Sequence, residues 1–111
     1  MKSNLYQMGN AHVLALQDAV TQAECAELND LIGRATAAGG ERLAIDLSEV
    51  PFLDSAVLEL LLSTAKEYAG RGGRLKLVAL SANCQEILRL TDLRGRFELV
   101  DSVEEATRKG S

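Results

Sequence analysis

Aromatic residues are scarce in this chain of 111 residues, which has no tryptophan and only two each of tyrosine and phenylalanine. Proteins that bind single-stranded nucleic acid stack the bases on aromatic side chains, and we expect no such platform here. The formal net charge of -4 offers no attraction to a phosphate backbone, and charges of both signs are mixed along the chain. The composition therefore argues against nucleic acid as a partner.

Cysteine and histidine are also rare. The two cysteines, Cys25 and Cys84, form no Cys-x-x-Cys pair, and His12 is the single histidine. A disulfide scaffold or a zinc site needs more such residues, and no nucleophile, base and orienting group can be assembled from them. We therefore expect no metal, no cofactor and no enzyme activity. Both cysteines are predicted on apolar helix faces, and His12 is predicted to have a structural role.

Long apolar runs are missing as well. No segment approaches the roughly 18 consecutive apolar residues of a membrane span, and the first seven residues lack the apolar stretch of a signal peptide. We expect a cytoplasmic protein that does not insert into a membrane. The length suits one domain over residues 1–111, with a disordered tail at about 108–111.

The apolar residues that are present repeat with the periods of strands and helices. Two strands come first, and helices and strands then alternate to the end of the chain. This order predicts an α/β domain with a mostly parallel sheet of about five strands and about four helices. The predicted strands are Tyr6–Met8, His12–Leu16, Arg42–Leu47, Arg74–Leu80 and Phe97–Val100, with a two-residue turn at Gly9-Asn10 between the first two. The predicted helices follow a capping box at Thr21–Glu24, the caps Asp54 and Ser81, and a second capping box at Ser102–Glu105.

A polar pair, Asp54 and Ser55, follows the third predicted strand. Asp54 is a good N-cap, which places Ser55 in a first helical turn where amides lack acceptors and the helix dipole is positive. A phosphate on Ser55 would be tolerated there and would add about -1.5 to -2 charges. By local pattern alone, a simple helix cap is the commoner interpretation. Asp46, at the end of the strand, suits hydrogen bonds to loop amides better than a ligand site.

The order of motifs along nearly the whole chain resembles the STAS domain family, the sulfate-transporter and anti-sigma-factor-antagonist domains. An apolar strand ends at an aspartate, a short connection leads to an Asp-Ser pair, and an apolar helix follows. The matching segments are Ile45-Asp46-Leu47, Phe52-Leu53-Asp54-Ser55, Leu58–Leu62, Gly72-Gly73 before Leu75–Val78, Ile87–Leu93, Phe97 and Asp101–Ala106. No single segment is specific, but the ordered set is.

The resemblance implies a function. In the antagonist branch of that family, the serine after the aspartate is phosphorylated by an anti-sigma factor of the GHKL serine kinase type. The unphosphorylated form binds that kinase and frees the sigma factor. Carried over to this chain, the acceptor is Ser55, and the partner-binding residues are Asp54, Ser55 and Ala56, with Glu59 and Ser63 on the exposed flank of the helix. The implied function is that of an anti-sigma factor antagonist in a partner-switching pathway.

Two positions depart from the family's usual pattern. Val57 stands where the family usually has glycine, and Ala56 replaces a second serine seen in many members. Ser55 is thus the only acceptor in the motif. Val57 leaves an alternative open, since similar stand-alone domains are accessory subunits of lipid-trafficking ABC transporter complexes.

Overall fold

The structure is a computed structural model that describes residues 1–108. Within these residues the chain forms five strands and four α-helices, which confirms the predicted α/β fold. Short 3-10 turns at Gln22–Glu24 and Arg94–Arg96 precede α1 and β5. Residues 109–111, most of the predicted tail, lie outside the described residues. The elements are β1 (Lys2–Met8), β2 (Ala11–Gln17), α1 (Cys25–Ala37), β3 (Arg42–Glu49), α2 (Ser55–Gly70), β4 (Arg74–Val78), α3 (Ala82–Leu90), β5 (Glu98–Val100) and α4 (Val103–Thr107).

The strands form one mixed sheet in the order β1-β2-β3-β4-β5. The hairpin of β1 and β2 is antiparallel, and every later pair is parallel. Gly9 and Asn10 make the two-residue hairpin turn, as predicted. Gly9 has φ 63°, which glycine adopts without strain and which suits the first position of a type II′ turn.

The two faces of the sheet bury different amounts of apolar side chain. Alternate strand residues such as Leu14, Ile45 and Leu77 belong to the main core, together with side chains of α1, α2 and α3. On the other face a smaller cluster joins Val13, Ala44 and Val78 to Ala106 of α4. The loops after β2 and β3 lead into α1 and α2, and these two loops contact each other at one end of the molecule.

The helix starts are set by the predicted capping residues, with one difference. The Thr21 backbone amide donates to the Glu24 carboxylate (2.8 Å), and the Thr21 hydroxyl accepts from the Ala23 amide (3.4 Å). The capping box predicted at the start of the first helix is thus confirmed. At α4, the Ser102 hydroxyl accepts from the amide of Glu105 (3.1 Å). The Glu105 carboxylate, however, accepts from the backbone amide of Asp101 (3.3 Å) instead of from that of Ser102. The second predicted box is thus only half formed.

The strand predicted to reach Leu80 is shorter than expected. Ala79 has φ 55°, a left-handed conformation that ends the extended backbone after Val78. Its amide donates to the carbonyl oxygen of Val100 (2.9 Å). The chain turns there towards Ser81, which caps α3.

The longest described helix, α2, has 16 residues. Among residues 1–108, no helix has the length and apolarity needed to cross a bilayer. After α2 the chain turns sharply, with the Gly73 amide donating to the carbonyl oxygen of Tyr68 (2.7 Å) and the Arg74 amide donating to that of Glu41 (2.9 Å). Gly73 lies so close to Glu41 that a Cβ atom would overlap its carbonyl oxygen.

Candidate functional site

Ser55 is the first residue of α2, and its side chain faces solvent. Within residues 1–108 its hydroxyl has no hydrogen-bond partner. Asp54 precedes it as the N-cap, with extended backbone at φ -96° and ψ 177°. The predicted helix start is thereby confirmed. It leaves a free hydroxyl where first-turn amides point outwards and the helix dipole is positive.

The Asp54 carboxylate is occupied on both of its oxygens. Its Oδ1 accepts from the amide of Val57 (3.1 Å), which caps α2. Its Oδ2 accepts from the amide of Gln22 (2.7 Å), which belongs to the turn before α1. Asp54 therefore holds together the starts of two helices, and it is half-buried. Its side chain acts as a positioning group beneath Ser55.

Backbone contacts fix the same two loops. Val20 donates to the carbonyl oxygen of Phe52 (3.0 Å) and accepts from the amide of Asp54 (3.4 Å), and Val20 forms a parallel bridge with Leu53. Both Val20 and Leu53 are buried, whereas Phe52 is 45% exposed. An aromatic ring is thus held in solvent three residues before Ser55. Phe52 was not among the predicted interface residues, although a phenylalanine directly after Pro51 in a short connection was a usable signal.

The predicted interface residues of α2 are not equally close to Ser55. Ala56 is half-buried, and Glu59 is exposed one turn after Ser55, on the same side of the helix. Ser63 is also exposed but lies two turns on, roughly 12 Å along the axis. It lines a groove between α1 and α2. The structure brings Ser55 and Glu59 together and leaves Ser63 apart.

Val57 has its side chain in the main core, where it is fully buried. Its amide is the donor that Asp54 caps. The isopropyl group therefore points away from the surface that carries Ser55. The valine side chain fills the core under this site without covering the Ser55 hydroxyl.

Acidic residues dominate the two chain segments that build this end. Segments 17–33 and 43–65 contain eight acidic residues and no lysine, arginine or histidine. Arg34, Arg42 and Lys66 directly flank these segments in the sequence, and Lys2 pairs with Gln17 across the hairpin. The acidic residues are Asp18, Glu24, Glu27, Asp30, Asp46, Glu49, Asp54 and Glu59.

The two cysteines lie on apolar helix faces, as predicted. Cys84 is buried and its thiol donates to the carbonyl oxygen of Val50 (3.3 Å). Burial raises the pKa of the Cys84 thiol. Burial, followed by the nearby Asp54 and Glu24 carboxylates, raises the pKa of the Cys25 thiol. Both thiols stay protonated near neutral pH, and a protonated thiol is a poor nucleophile.

His12 and Asp46 have structural surroundings. His12 is buried in β2, and its Nδ1 atom has no hydrogen-bond partner among residues 1–108. Gly40 packs so closely on the ring that a Cβ atom would overlap Nδ1. Asp46 accepts from the amide of Ser48 (3.0 Å), which confirms the expected loop hydrogen bond. In the described part of the chain, no three His, Cys, Asp or Glu side chains are grouped to hold a metal.

Comparison with protein families gives one match that spans most of the chain. A family model described as "Mlab, STAS domain" matches residues 3–101. The matched stretch runs from β1 to the residue after β5 and contains the whole surface around Ser55.

Solved structures show the same fold. An anti-sigma factor antagonist from Mycobacterium paratuberculosis is 26% identical, with a TM-score of 0.83 over 95% of this chain and 89% of that chain. A candidate anti-sigma factor antagonist from Thermotoga maritima is 19% identical, with a TM-score of 0.85 over 96% and 95%. The Bacillus cell fate determinant SpoIIAA, in its phosphorylated form, is 20% identical, with a TM-score of 0.72 over 95% and 96%.

Proposed function

This chain belongs to the STAS domain family, and on that premise we propose that it is an anti-sigma factor antagonist controlled by phosphorylation of Ser55. Its partner would be an anti-sigma factor of the GHKL serine kinase type, in a cytoplasmic partner-switching pathway that regulates transcription. The observation that carries the proposal is the exposed Ser55 hydroxyl, which has no hydrogen-bond partner among residues 1–108 and stands at the start of α2. A kinase can reach such a hydroxyl without unfolding the domain.

The surroundings of Ser55 suggest how a phosphate would act. The start of α2 tolerates negative charge, because its amides and dipole are positive there. The two acid-rich segments around it hold no lysine or arginine that could fold over the phosphate, and Asp54 beside it repels added charge. The phosphate would therefore stay on the surface and change what docks there, with little change to the fold.

The docking surface we propose centres on Ser55, Glu59 and the exposed ring of Phe52. Ala56 contributes its half-buried methyl group, Asp54 holds the surface in place, and Ser63 lies at its margin. Exposed aromatic side chains that become buried at an interface often contribute most of its binding energy. Phe52 is therefore the anchor we expect for the partner.

The acceptor is tested by incubating the purified protein with the partner kinase and ATP, followed by intact-mass measurement. We expect the mass to rise by one phosphate on the natural sequence and by none on Ser55→Ala. Ser63→Ala is the matched control, because it removes another exposed serine from the same helix and should still gain one phosphate. Equal phosphorylation of Ser55→Ala would remove Ser55 as the acceptor.

The docking surface is tested by measuring partner affinity with three variants. Phe52→Ser and Ser55→Asp are each expected to weaken binding by tenfold or more, about 1.4 kcal/mol or above. Ala82→Asp adds the same charge at the first residue of α3, which is also exposed and follows an N-cap. It should change affinity much less. If all three variants bound the partner as tightly as the natural sequence does, the partner would dock elsewhere.

Val57 in place of the family's usual glycine favours one alternative, an accessory subunit of a lipid-trafficking ABC transporter complex. Affinity purification from the native cell separates the two functions. Recovery of a GHKL-type kinase that Ser55→Asp fails to capture supports the antagonist. Recovery of an ABC ATPase with both forms supports the accessory subunit.

A further inference from the structure

The two edges of the sheet differ in how well they are protected against pairing with another strand. The edge strand β5 has only three residues, includes Glu98, and follows the turn that contains Arg94 and Arg96. Short length and charge both discourage pairing at an edge. The other edge strand, β1, has seven residues, Lys2–Met8, with no proline, and its register with β2 is continuous. Lys2 is its single charged residue.

The hairpin geometry tells which backbone groups of β1 point outwards. Met8 and Ala11 flank the two-residue turn, and the residues that flank such a turn exchange hydrogen bonds across the hairpin. Because bonded and non-bonded pairs alternate along antiparallel strands, Tyr6 and Asn4 also bond to β2. The N–H and C=O groups of the intervening residues, Ser3, Leu5 and Gln7, therefore face away from the sheet.

We propose that β1 pairs with β1 of a second copy of this chain, antiparallel and about a two-fold axis at Leu5. Leu5 would then lie opposite Leu5 of the second copy, and Ser3 would lie opposite Gln7. In this register each copy's three outward residues donate and accept one bond each, which gives about six hydrogen bonds across the axis. The two sheets would become one continuous sheet of ten strands.

The side chains of β1 are compatible with β1 of a second copy of this chain as its pairing partner. In the two-fold register Lys2 faces Met8 and Asn4 faces Tyr6, so no like charges oppose each other. The net charge of -4 arises elsewhere in the chain. Leu5 and Tyr6 are half-buried, and Met8 is 37% exposed, so pairing would cover further apolar surface. Two-fold self-complementary contacts are the commonest way in which identical chains associate.

The proposal is tested by sedimentation equilibrium over a wide range of protein concentrations, with two variants of Gln7. We expect the natural sequence to shift from the 11.9 kDa of one chain to about twice that mass as concentration rises. Gln7→Pro removes an outward N–H that β2 does not use, and it should raise the dimer dissociation constant by about tenfold or more. Gln7→Ala keeps that N–H while losing the same side-chain contact with Gly9, and it should dimerise as the natural sequence does.

Amide hydrogen exchange of the natural sequence gives a second measurement that needs no variant. The amides of Ser3, Leu5 and Gln7 should exchange quickly in dilute protein and slowly in concentrated protein. Those of Asn4 and Tyr6, which bond to β2, should be protected at both concentrations. A mass that stays at one chain throughout, or a dimer that Gln7→Pro leaves intact, would overturn the proposal.

Discussion

Replacing Asp54 by alanine is expected to lower the free energy of unfolding by about 2–3 kcal/mol. The substitution removes the N-cap of α2, since the Val57 amide loses its acceptor. It also removes the acceptor of the Gln22 amide, 32 residues away in the chain. Urea unfolding followed by circular dichroism measures the loss. In a domain of this size, that is a large share of the 5–15 kcal/mol typical of total stability.

Two comparisons separate the double role of Asp54 from ordinary capping. Ser102→Ala removes an N-cap with one amide partner, Glu105, and should cost about 1 kcal/mol. Asp54→Asn keeps one oxygen acceptor but turns an NH2 group towards the second amide. Its loss in free energy of unfolding should therefore lie between those of Ser102→Ala and Asp54→Ala. If Asp54→Ala cost no more than Ser102→Ala, the bond to Gln22 would contribute nothing to stability.

The second large effect is expected at Gly73, where alanine should lower the free energy of unfolding by about 2–3 kcal/mol. A Cβ atom there meets the carbonyl oxygen of Glu41. That contact is backbone against side chain, and no rotamer change can relieve it. Moving the turn would stretch the hydrogen bond from Arg74 to Glu41, which joins the starts of β3 and β4. Thermal and urea unfolding should both show the loss.

Gly70→Ala is the matched control, three residues earlier. Gly70 ends α2, and a Cβ atom there meets nothing within 4 Å. Alanine favours helix more than glycine does, so stability should stay unchanged or rise by up to about 1 kcal/mol. Equal losses for the two variants would show that the close approach at Gly73 is not the cause.

Most elements of the fold follow from local patterns, because period and capping depend on residues a few positions apart. The helix after Asp54 is an example, since Asp54 and Val57 are neighbours in the chain. The early end of β4 has a different origin, since it depends on the left-handed backbone of Ala79 and its bond to Val100. Alanine gives no sequence signal for that conformation.

In the candidate site, too, the features set by neighbouring residues were predictable, and those set by contacts between distant segments were not. The position of Ser55 in the first turn of α2 was predictable from Asp54 and the apolar helix after it. The hydrogen bond from the Gln22 amide to Asp54 was not predictable, because it joins two loops that meet only when β2 and β3 pair. The exposure of Phe52 depends on the same contact between loops, since Val20 holds its backbone. Phosphorylation of Ser55 stays a prediction.

The acid-rich segments 17–33 and 43–65 have a consequence for the speed of encounter. They include the first halves of α1 and α2, while Arg34, Lys66 and Arg71 lie near the other ends of these helices. The side-chain charge is therefore more negative towards the starts of the two helices than towards their ends. A polarised molecule turns in the field of a basic partner before the two surfaces touch, which raises the fraction of productive collisions. The benefit falls as salt shortens the range of that field to roughly 8 Å at physiological ionic strength.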